Sequence, residues 1–146
     1  MWSSRKYKRA AEKHFKSCKH ILNCLNQAKS HEKPEVVSNI FYLSGYVLEC
    51  IFKHYHLELD HKSGTFDKEE LKEMGLISHD IKQLWNLVSQ KGGLNKNDFV
   101  WTSISNKWNE AVRYETDEAD YKNESLIREH FTKTVEPIYN KIKDLY

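Results

Sequence analysis

The stretch that decides the fold is residues 36 to 55, which read VVSNIFYLSGYVLECIFKHY. Its apolar side chains recur every three or four residues, the spacing that places them on one face of an α-helix. This stripe consists of Val36, Ile40, Leu43, Val47, Cys50 and Ile51, and further apolar residues lie off it at Phe41, Leu48, Phe52 and Tyr55. A helix that is apolar around most of its circumference is predicted to be central and packed on several sides.

Two charged residues interrupt this central helix. Glu49 and Lys53 stand four residues apart, so they share one face in the order that favours an ion pair. A carboxylate on a mostly buried helix is costly without a partner. Three interpretations stay open: the charges reach solvent, Glu49 faces a polar cleft, or Glu49 forms a buried salt bridge with Arg113 that joins two helices without any activity.

Apolar periodicity along the rest of the chain predicts an all-α antiparallel bundle of about five helices in one domain, residues 1 to 146. Only five Gly and two Pro interrupt it, and no period-two strand pattern is present. Besides the central helix, the predicted elements are residues 3 to 29, a short helix from Asp67 to Met74 that ends at Gly75, a helix with Ser78 as N-cap, an amphipathic helix from Trp101 to Tyr114, and a last helix from Ile127 to Leu145 that Pro137 must kink.

Composition limits the location and the chemistry of the protein. Three cysteines, Cys18, Cys24 and Cys50, include no CxxC pair, which is typical of free thiols in a cytoplasmic protein without a structural zinc. The segment from Met1 to Lys19 is charged throughout, unlike a signal peptide. The central run contains Ser38, Asn39, Glu49 and Lys53, so we expect it not to span a membrane.

Neither metal nor cofactor is expected from the sequence. The histidines that follow the central helix, His54, His56 and His61, have no standard zinc spacing with Asp60, and we expect them to be solvated. A net charge of +2 is too small to indicate nucleic-acid binding on its own. The lysines of the first helix are either a solvated face or a surface for an RNA backbone; they are Lys8, Lys13, Lys16 and Lys19.

The phrase FYLSGYVLECIFKHY, with its GYxLEC box at residues 45 to 50, resembles the central helix of small bacterial HEPN-domain proteins. The resemblance covers most of the chain, because other elements follow in the order typical of that family. These are Ala11, His14 and Phe15 in the first helix, the run Ser78-His79-Asp80-Ile81 at a helix start, and a tryptophan-rich segment with Trp101, Trp108, Arg113 and Tyr114.

The resemblance implies an antiparallel bundle that commonly dimerises. Members of the superfamily include metal-independent endoribonucleases of toxin–antitoxin, abortive-infection and antiphage systems, while others bind nucleotides or act with small nucleotidyltransferases. It therefore implies a protein that handles RNA or nucleotide as a homodimer, with a nucleotidyltransferase antitoxin or a defence effector as a further partner.

Metal-free RNA cleavage needs a base, an acid and a cation for the charge that develops on phosphorus. The catalytic candidates are His79 for proton transfer and Glu49 with Arg113, which would orient one another. Lys53, Asp80 and Tyr114 are the candidates for substrate binding, with Lys53 or Arg113 on a phosphate and the N–H groups at the Asp80 helix start as a second phosphate site. The structural alternatives are a capping pair at His79-Asp80 and a helix-terminal cation with a packed aromatic at Arg113-Tyr114.

Catalytic HEPN ribonucleases carry an Arg followed by His after four to six residues, late in the domain. This motif is missing late in the present chain, because Arg128 and His130 stand only two residues apart. The spacing does occur at Arg9 and His14, but these residues lie in the first predicted helix. The missing motif favours an alternative to the ribonuclease, namely a non-catalytic dimeric module that binds a nucleotide or docks onto a larger effector.

Overall fold

A computed structural model describes residues 1–60, 63–114 and 118–146, with the exception of the Arg113 side chain. The described residues form no β-strand, so the predicted all-α fold is confirmed. The helices are α1 (Ser4–Cys24), α2 (Lys33–Leu59), α3 (Lys68–Glu73), α4 (Ile81–Val88), α5 (Glu124–His130) and α6 (Glu136–Leu145). A π-helical turn, Phe131–Val135, joins α5 to α6, and together they make the one long helix that the sequence predicts.

The core is built on the antiparallel pair α1 and α2. One face of α1 is buried against α2 through Tyr7, Ala11, Phe15, Cys18 and Leu22. Two contacts give the direction: the Ser4 hydroxyl lies 2.7 Å from His54 Nδ1, and Cys18 Sγ lies 3.7 Å from the Ile40 carbonyl oxygen. Later residues of α1 therefore contact earlier residues of α2, so the two helices are antiparallel. The short connection between them requires this arrangement.

Helix α2 is buried on nearly all sides, as its sequence predicts. Every residue from Val47 to Leu57 is buried, including Glu49 and Lys53. By length and composition alone, α2 is apolar enough to cross a membrane, and 61% of its most apolar window is buried inside the protein. Composition alone therefore does not exclude a membrane span, and the expectation that the polar residues of α2 prevent one stays a prediction.

Pro137 does not simply kink the last helix. An α-helical Pro137 would clash with the carbonyl of Lys133 and leave it without a donor. The structure widens the preceding turn instead, since the Glu136 N–H bonds to the Phe131 carbonyl, five residues back. Pro137 then lies in the first turn of α6, where a missing N–H is harmless.

The predicted amphipathic helix from Trp101 to Tyr114 is wrong. That segment contains two short 3-10 turns, Ser105–Lys107 and Glu110–Tyr114, with Trp108 extended between them. The Trp108 indole N–H donates to the Tyr42 carbonyl oxygen at 3.0 Å, and the Asn109 side chain accepts from the Ala111 N–H at 2.8 Å. These side-chain bonds replace the helical ones.

Two local predictions also need correction. Asp80, rather than Ser78, is the N-cap of α4, and the Ser78 hydroxyl accepts from the Asp80 N–H. His54 and His56 are buried rather than solvated, because the last turns of α2 remain inside the bundle. His61 lies outside the described residues. Burial lowers the pKa of His54, and the nearby Glu58 opposes that change.

Another histidine, His130 at the end of α5, is completely enclosed. Its Nε2 lies 3.1 Å from the Ser44 hydroxyl and its Nδ1 lies 3.0 Å from the Ser105 hydroxyl, so polar partners on two sides satisfy a neutral ring. Burial lowers its pKa to about 3.

This burial predicts a loss of stability in acid. When the pH falls below about 6.5, the ordinary pKa of histidine, His130 becomes protonated in the unfolded chain but not in the folded protein. The free energy of unfolding then decreases by about 1.4 kcal/mol per pH unit because of this group. We measure the free energy of unfolding in urea at pH 7 and at pH 5. His130→Gln should be less stable than the wild type at pH 7, but its free energy of unfolding should decrease between these pH values by about 2 kcal/mol less than that of the wild type. The exposed His31→Gln should keep the wild-type dependence, and equal losses in all three proteins would contradict a buried neutral His130.

Candidate functional site

A cluster of charged side chains runs from the core to the surface at the middle of α2. Lys53 Nζ lies 2.7 Å from Glu49 Oε1, and His79 Nδ1 lies 3.1 Å from both Glu49 carboxylate oxygens. On the other side of the ring, His79 Nε2 lies 3.3 Å from Glu110 Oε2. The Glu49 and Lys53 side chains are only 6% and 5% exposed, whereas His79 and Glu110 are 46% and 61% exposed. The cluster thus connects a buried ion pair to solvent through one imidazole.

The start of α4 fixes the position of His79. The Asp80 carboxylate accepts from the Lys82 N–H at 2.9 Å and from the Gln83 N–H at 3.2 Å. Side-chain caps of this kind hold the residues before a helix in extended conformation. The prediction that these N–H groups are free for a phosphate is wrong, because the Asp80 carboxylate already occupies them. Asp80 therefore lies beside the cluster as a helix cap.

The contacts of His79 define what its two nitrogens can do. An imidazolium donates to both Glu49 and Glu110, whereas a neutral ring with its hydrogen on Nδ1 donates to Glu49 alone and leaves Nε2 as a base. A buried carboxylate that orients an imidazole in this way recurs in sites of proton transfer. Glu110 is exposed, so its side chain is free to leave Nε2 without unpacking the core.

A pocket of about 450 Å³ opens directly above the buried pair. Most of its wall is apolar or aromatic, and Glu49, Lys53 and His79 also line it. Because Glu49 and Lys53 are buried while His79 is exposed, we take the ion pair as the floor of the pocket and His79 as its rim. An apolar wall with a few convergent polar groups is typical of a small-ligand site. The lining comes from the residue Trp2 before α1, from α1 and α2, and from the segment between α2 and α4: Trp2, Tyr7, Ala10, His14, Tyr46, Glu49, Cys50, Lys53, Lys68, Leu71, Leu76, Ile77 and His79.

Aromatic rings form one wall of this pocket. Trp2 stacks on Tyr7 with ring centres 5.4 Å apart and planes 11° from parallel. Trp2 is held there by two backbone hydrogen bonds with Phe66, of 2.9 and 2.7 Å. Burial, together with the nearby Cys50 and Glu49, raises the pKa of Tyr7. Burial also raises the pKa of the Cys50 thiol to about 12, so it stays protonated and is no candidate nucleophile.

A second, more polar pocket of about 500 Å³ adjoins the first. Both pockets share Ile77 and His79, so the imidazole stands between them. The second lining includes three side-chain amides, the Ser78 hydroxyl and the charged residues Asp80, Lys107 and Glu110. Hydrogen-bonding groups on one side of His79 and aromatic rings on the other suit a ligand with a polar part and a flat apolar part.

The structure brings together only some of the predicted site residues. Glu49, Lys53 and His79 are in contact, and the interpretation in which Glu49 faces a cleft is the one that the geometry matches. Tyr114 is exposed and lines neither pocket in the described part of the chain. The Arg113 side chain lies outside the described atoms, so its predicted pairing with Glu49 stays a prediction.

One residue of the cluster, Glu110, was not predicted. It precedes Arg113 by three residues, and the segment was expected to be an α-helix, which hid the possibility that Glu110 turns toward α4. Within residues 1–60, 63–114 and 118–146, no group of three or more His, Cys, Asp or Glu side chains is arranged so that it could hold a metal ion.

Comparison with known proteins found no family model, curated protein or solved structure that matches this chain. The resemblance to HEPN proteins therefore stays an expectation, and function is argued from the site.

Proposed function

We propose that this chain is a HEPN-type protein that handles RNA, and that it cleaves RNA without a metal at the cluster around Glu49. The observation that carries the proposal is the buried Glu49 carboxylate, which contacts His79 at the rim of an aromatic-walled pocket. The antiparallel helical bundle also agrees with the architecture that the resemblance implies.

In this mechanism His79 transfers the proton. Glu49 holds the Nδ1 hydrogen of His79, which leaves Nε2 to remove the proton from a ribose 2′-hydroxyl once Glu110 has moved aside. The oxygen then attacks the adjacent phosphorus, the bond to the 5′-oxygen breaks, and the leaving 5′-oxygen takes up the proton that His79 Nε2 has removed from the 2′-hydroxyl, which returns His79 to its neutral form. Lys53 balances the charge of Glu49, so the carboxylate remains an acceptor throughout.

The pocket beside His79 is proposed to hold the base. A nucleobase carries hydrogen-bond donors and acceptors side by side on one edge, and the Glu49–Lys53 pair presents the complementary acceptor and donor at the pocket floor. Trp2, Tyr7 and Tyr46 supply rings for stacking.

The setting is also a proposal. The resemblance places such a protein in a bacterial defence or toxin–antitoxin system, as a homodimer with a nucleotidyltransferase antitoxin or a defence effector as partner. Cys18, Cys24 and Cys50 are free thiols, which suits the reducing cytoplasm.

The test is degradation of single-stranded RNA by the pure protein in the presence of EDTA. Loss of a general acid or base reduces a rate by about 100-fold or more, so His79→Gln should lose that much activity. Arg113→Ala tests the remaining catalytic candidate in the same assay. His31→Gln, which changes an exposed histidine, should cleave like the wild type.

Equal cleavage by the wild type, His79→Gln and Arg113→Ala would overturn the assignment of the site. Circular dichroism of each variant separates a lost activity from a lost fold. Glu49 is less suitable for this test, because its removal also leaves Lys53 unpaired in the core.

A second candidate function, binding of a nucleotide without cleavage, is favoured by a specific observation. Glu110 lies against His79 Nε2, the nitrogen that proton transfer needs, and Asp80 fills the N–H groups that would hold a phosphate. A ligand that binds only the folded state raises the melting temperature, so thermal shifts with nucleotides test this function. A shift in the wild type that His79→Gln keeps, without RNA cleavage by either protein, would support the binding module.

A further inference from the structure

Helix α1 concentrates the positive charge of the protein. It contains seven Lys or Arg residues and one acidic residue, Glu12, a net charge of +6. The whole chain has a net charge of +2, so the rest of the molecule carries −4. Charge asymmetry of this size within one small domain is typical of a surface that meets a polyanion.

The cations form an ordered row on the exposed side of α1. Arg5, Arg9, Lys13 and Lys16 follow one another at intervals of four, four and three residues, and all four are exposed. At 100° and 1.5 Å per residue, they lie within an arc of about 80° and along about 16 Å of the helix. We call this row the α1 ridge. Like charges three or four residues apart repel one another, so this row destabilises the helix in the absence of a bound anion.

Acidic groups neutralise little of the ridge. In the part of the chain that the structure describes, Arg5, Arg9 and Lys13 make no ion pair, and Lys16 meets only Glu12, at 3.2 Å and in an exposed position. Lys19, beyond the ridge, pairs with Glu136 at 2.9 Å. With respect to the described residues, three of the four ridge cations are therefore available to an external anion.

The ridge comes nearest to the aromatic-walled pocket at Lys13. Tyr7, Ala10 and His14 of α1 line that pocket. Lys13 lies one turn after Ala10 and is its neighbour on the helix surface. A polymer whose charged backbone passes Lys13 would therefore bring its side groups toward the pocket mouth.

These features select single-stranded RNA among the polyanions. The bases of a duplex are stacked and paired, whereas those of a single strand can turn out into a pocket. An anionic membrane fits less well, because the apolar face of α1 is buried against α2 and is not free to enter a bilayer.

We infer that the α1 ridge binds the phosphate backbone of single-stranded RNA and that the pocket above Glu49 accepts one unpaired base of the same strand. This deepens the proposed function and rests on it for the identity of the polymer. The ridge supplies the phosphate contacts that the cluster itself lacks, since Glu49, Glu110 and Asp80 balance or exceed the positive charge there.

The test is fluorescence anisotropy with a labelled oligouridine of about 12 nucleotides, within the site sizes known for single strands. Its 2′-fluoro sugars prevent cleavage during the measurement. Removing two phosphate contacts with Arg9→Gln/Lys13→Gln should weaken binding about tenfold at low salt and reduce the slope of log K against log salt by about 1.4. The matched control, Lys91→Gln/Lys96→Gln, removes the same charge from an exposed loop and should bind within about twofold of the wild type.

Three results would overturn the inference: equal binding by both double variants and the wild type, equal loss in both double variants, or binding to phosphatidylserine vesicles but not to the oligonucleotide. The cleavage assay stays separate. If Arg9→Gln/Lys13→Gln loses RNA binding while no protein cleaves RNA, the ridge stands and the catalytic proposal fails. If His79→Gln alone loses cleavage while the ridge variant binds normally, the catalytic proposal stands and the ridge fails.

Discussion

Replacing Glu49 with leucine is expected to lower the free energy of unfolding by about 3–5 kcal/mol. The substitution leaves the Lys53 ammonium in the core without the carboxylate that lies 2.7 Å away, and an unpaired buried charge is the costly product. Lys53→Met should cost less, because His79 still faces the Glu49 carboxylate. Urea unfolding followed by circular dichroism measures both values.

The double variant Glu49→Leu/Lys53→Met should be more stable than Glu49→Leu, because no buried charge is left. The chain offers a matched control in Glu12 and Lys16, a pair with the same residue types and spacing at the surface. Breaking that pair should change the stability by less than about 1 kcal/mol. Similar effects at the buried and the exposed pair would contradict the burial of Glu49 and Lys53.

Replacing Gly45 with alanine is the second change with a large expected effect. A Cβ atom at this position would overlap the indole ring of Trp108. Because α2 is rigid and central, Trp108 has to move, which also strains the hydrogen bond from its indole N–H to the Tyr42 carbonyl. We expect Gly45→Ala to cost about 3 kcal/mol, despite the gain in helix propensity.

A double-mutant cycle with Trp108→Ala identifies the cause. In that background the added methyl group has space, so Gly45→Ala should cost much less than in the wild type, with a coupling of about 1 kcal/mol or more. Ser38→Ala, elsewhere on α2 and only half-buried, should be nearly neutral. Additive effects of Gly45→Ala and Trp108→Ala would show that the ring does not occupy the space beside Gly45.

The sequence predicted the parts of the fold in which local pattern and burial agree. Helix α2 is apolar around most of its circumference, so its central position followed directly from its residues. Glu49 and Lys53 share one face because they stand four residues apart, and the expectation of a cleft at Glu49 followed from the cost of burying a carboxylate. His79 was a candidate because an imidazole suits proton transfer and because the run Ser78-His79-Asp80-Ile81 matches the family resemblance.

Long-range contacts explain what the sequence did not show. The stripe of Trp101, Ile104 and Trp108 fits an α-helix, but Trp108 is instead fixed by Tyr42 and by the space at Gly45, 63 positions earlier. Glu110 joins the cluster only because this segment is not a helix. His54 was expected to be solvated because its spacing to the nearby histidines matches no zinc site, yet the Ser4 hydroxyl on α1 contacts its buried ring.

The widened turn at Phe131–Val135 also has a consequence for comparing sequences. A π-helical turn is equivalent to one residue inserted into an α-helix, and it lets the segments before and after it keep their faces toward the core. A chain of the same fold that lacks proline at position 137 can keep a regular α-helix here and would then contain one residue fewer. Alignments with distant homologues should therefore allow a one-residue gap there, and the register of Ile138 and Ile142 should be set from the C-terminal side of the gap.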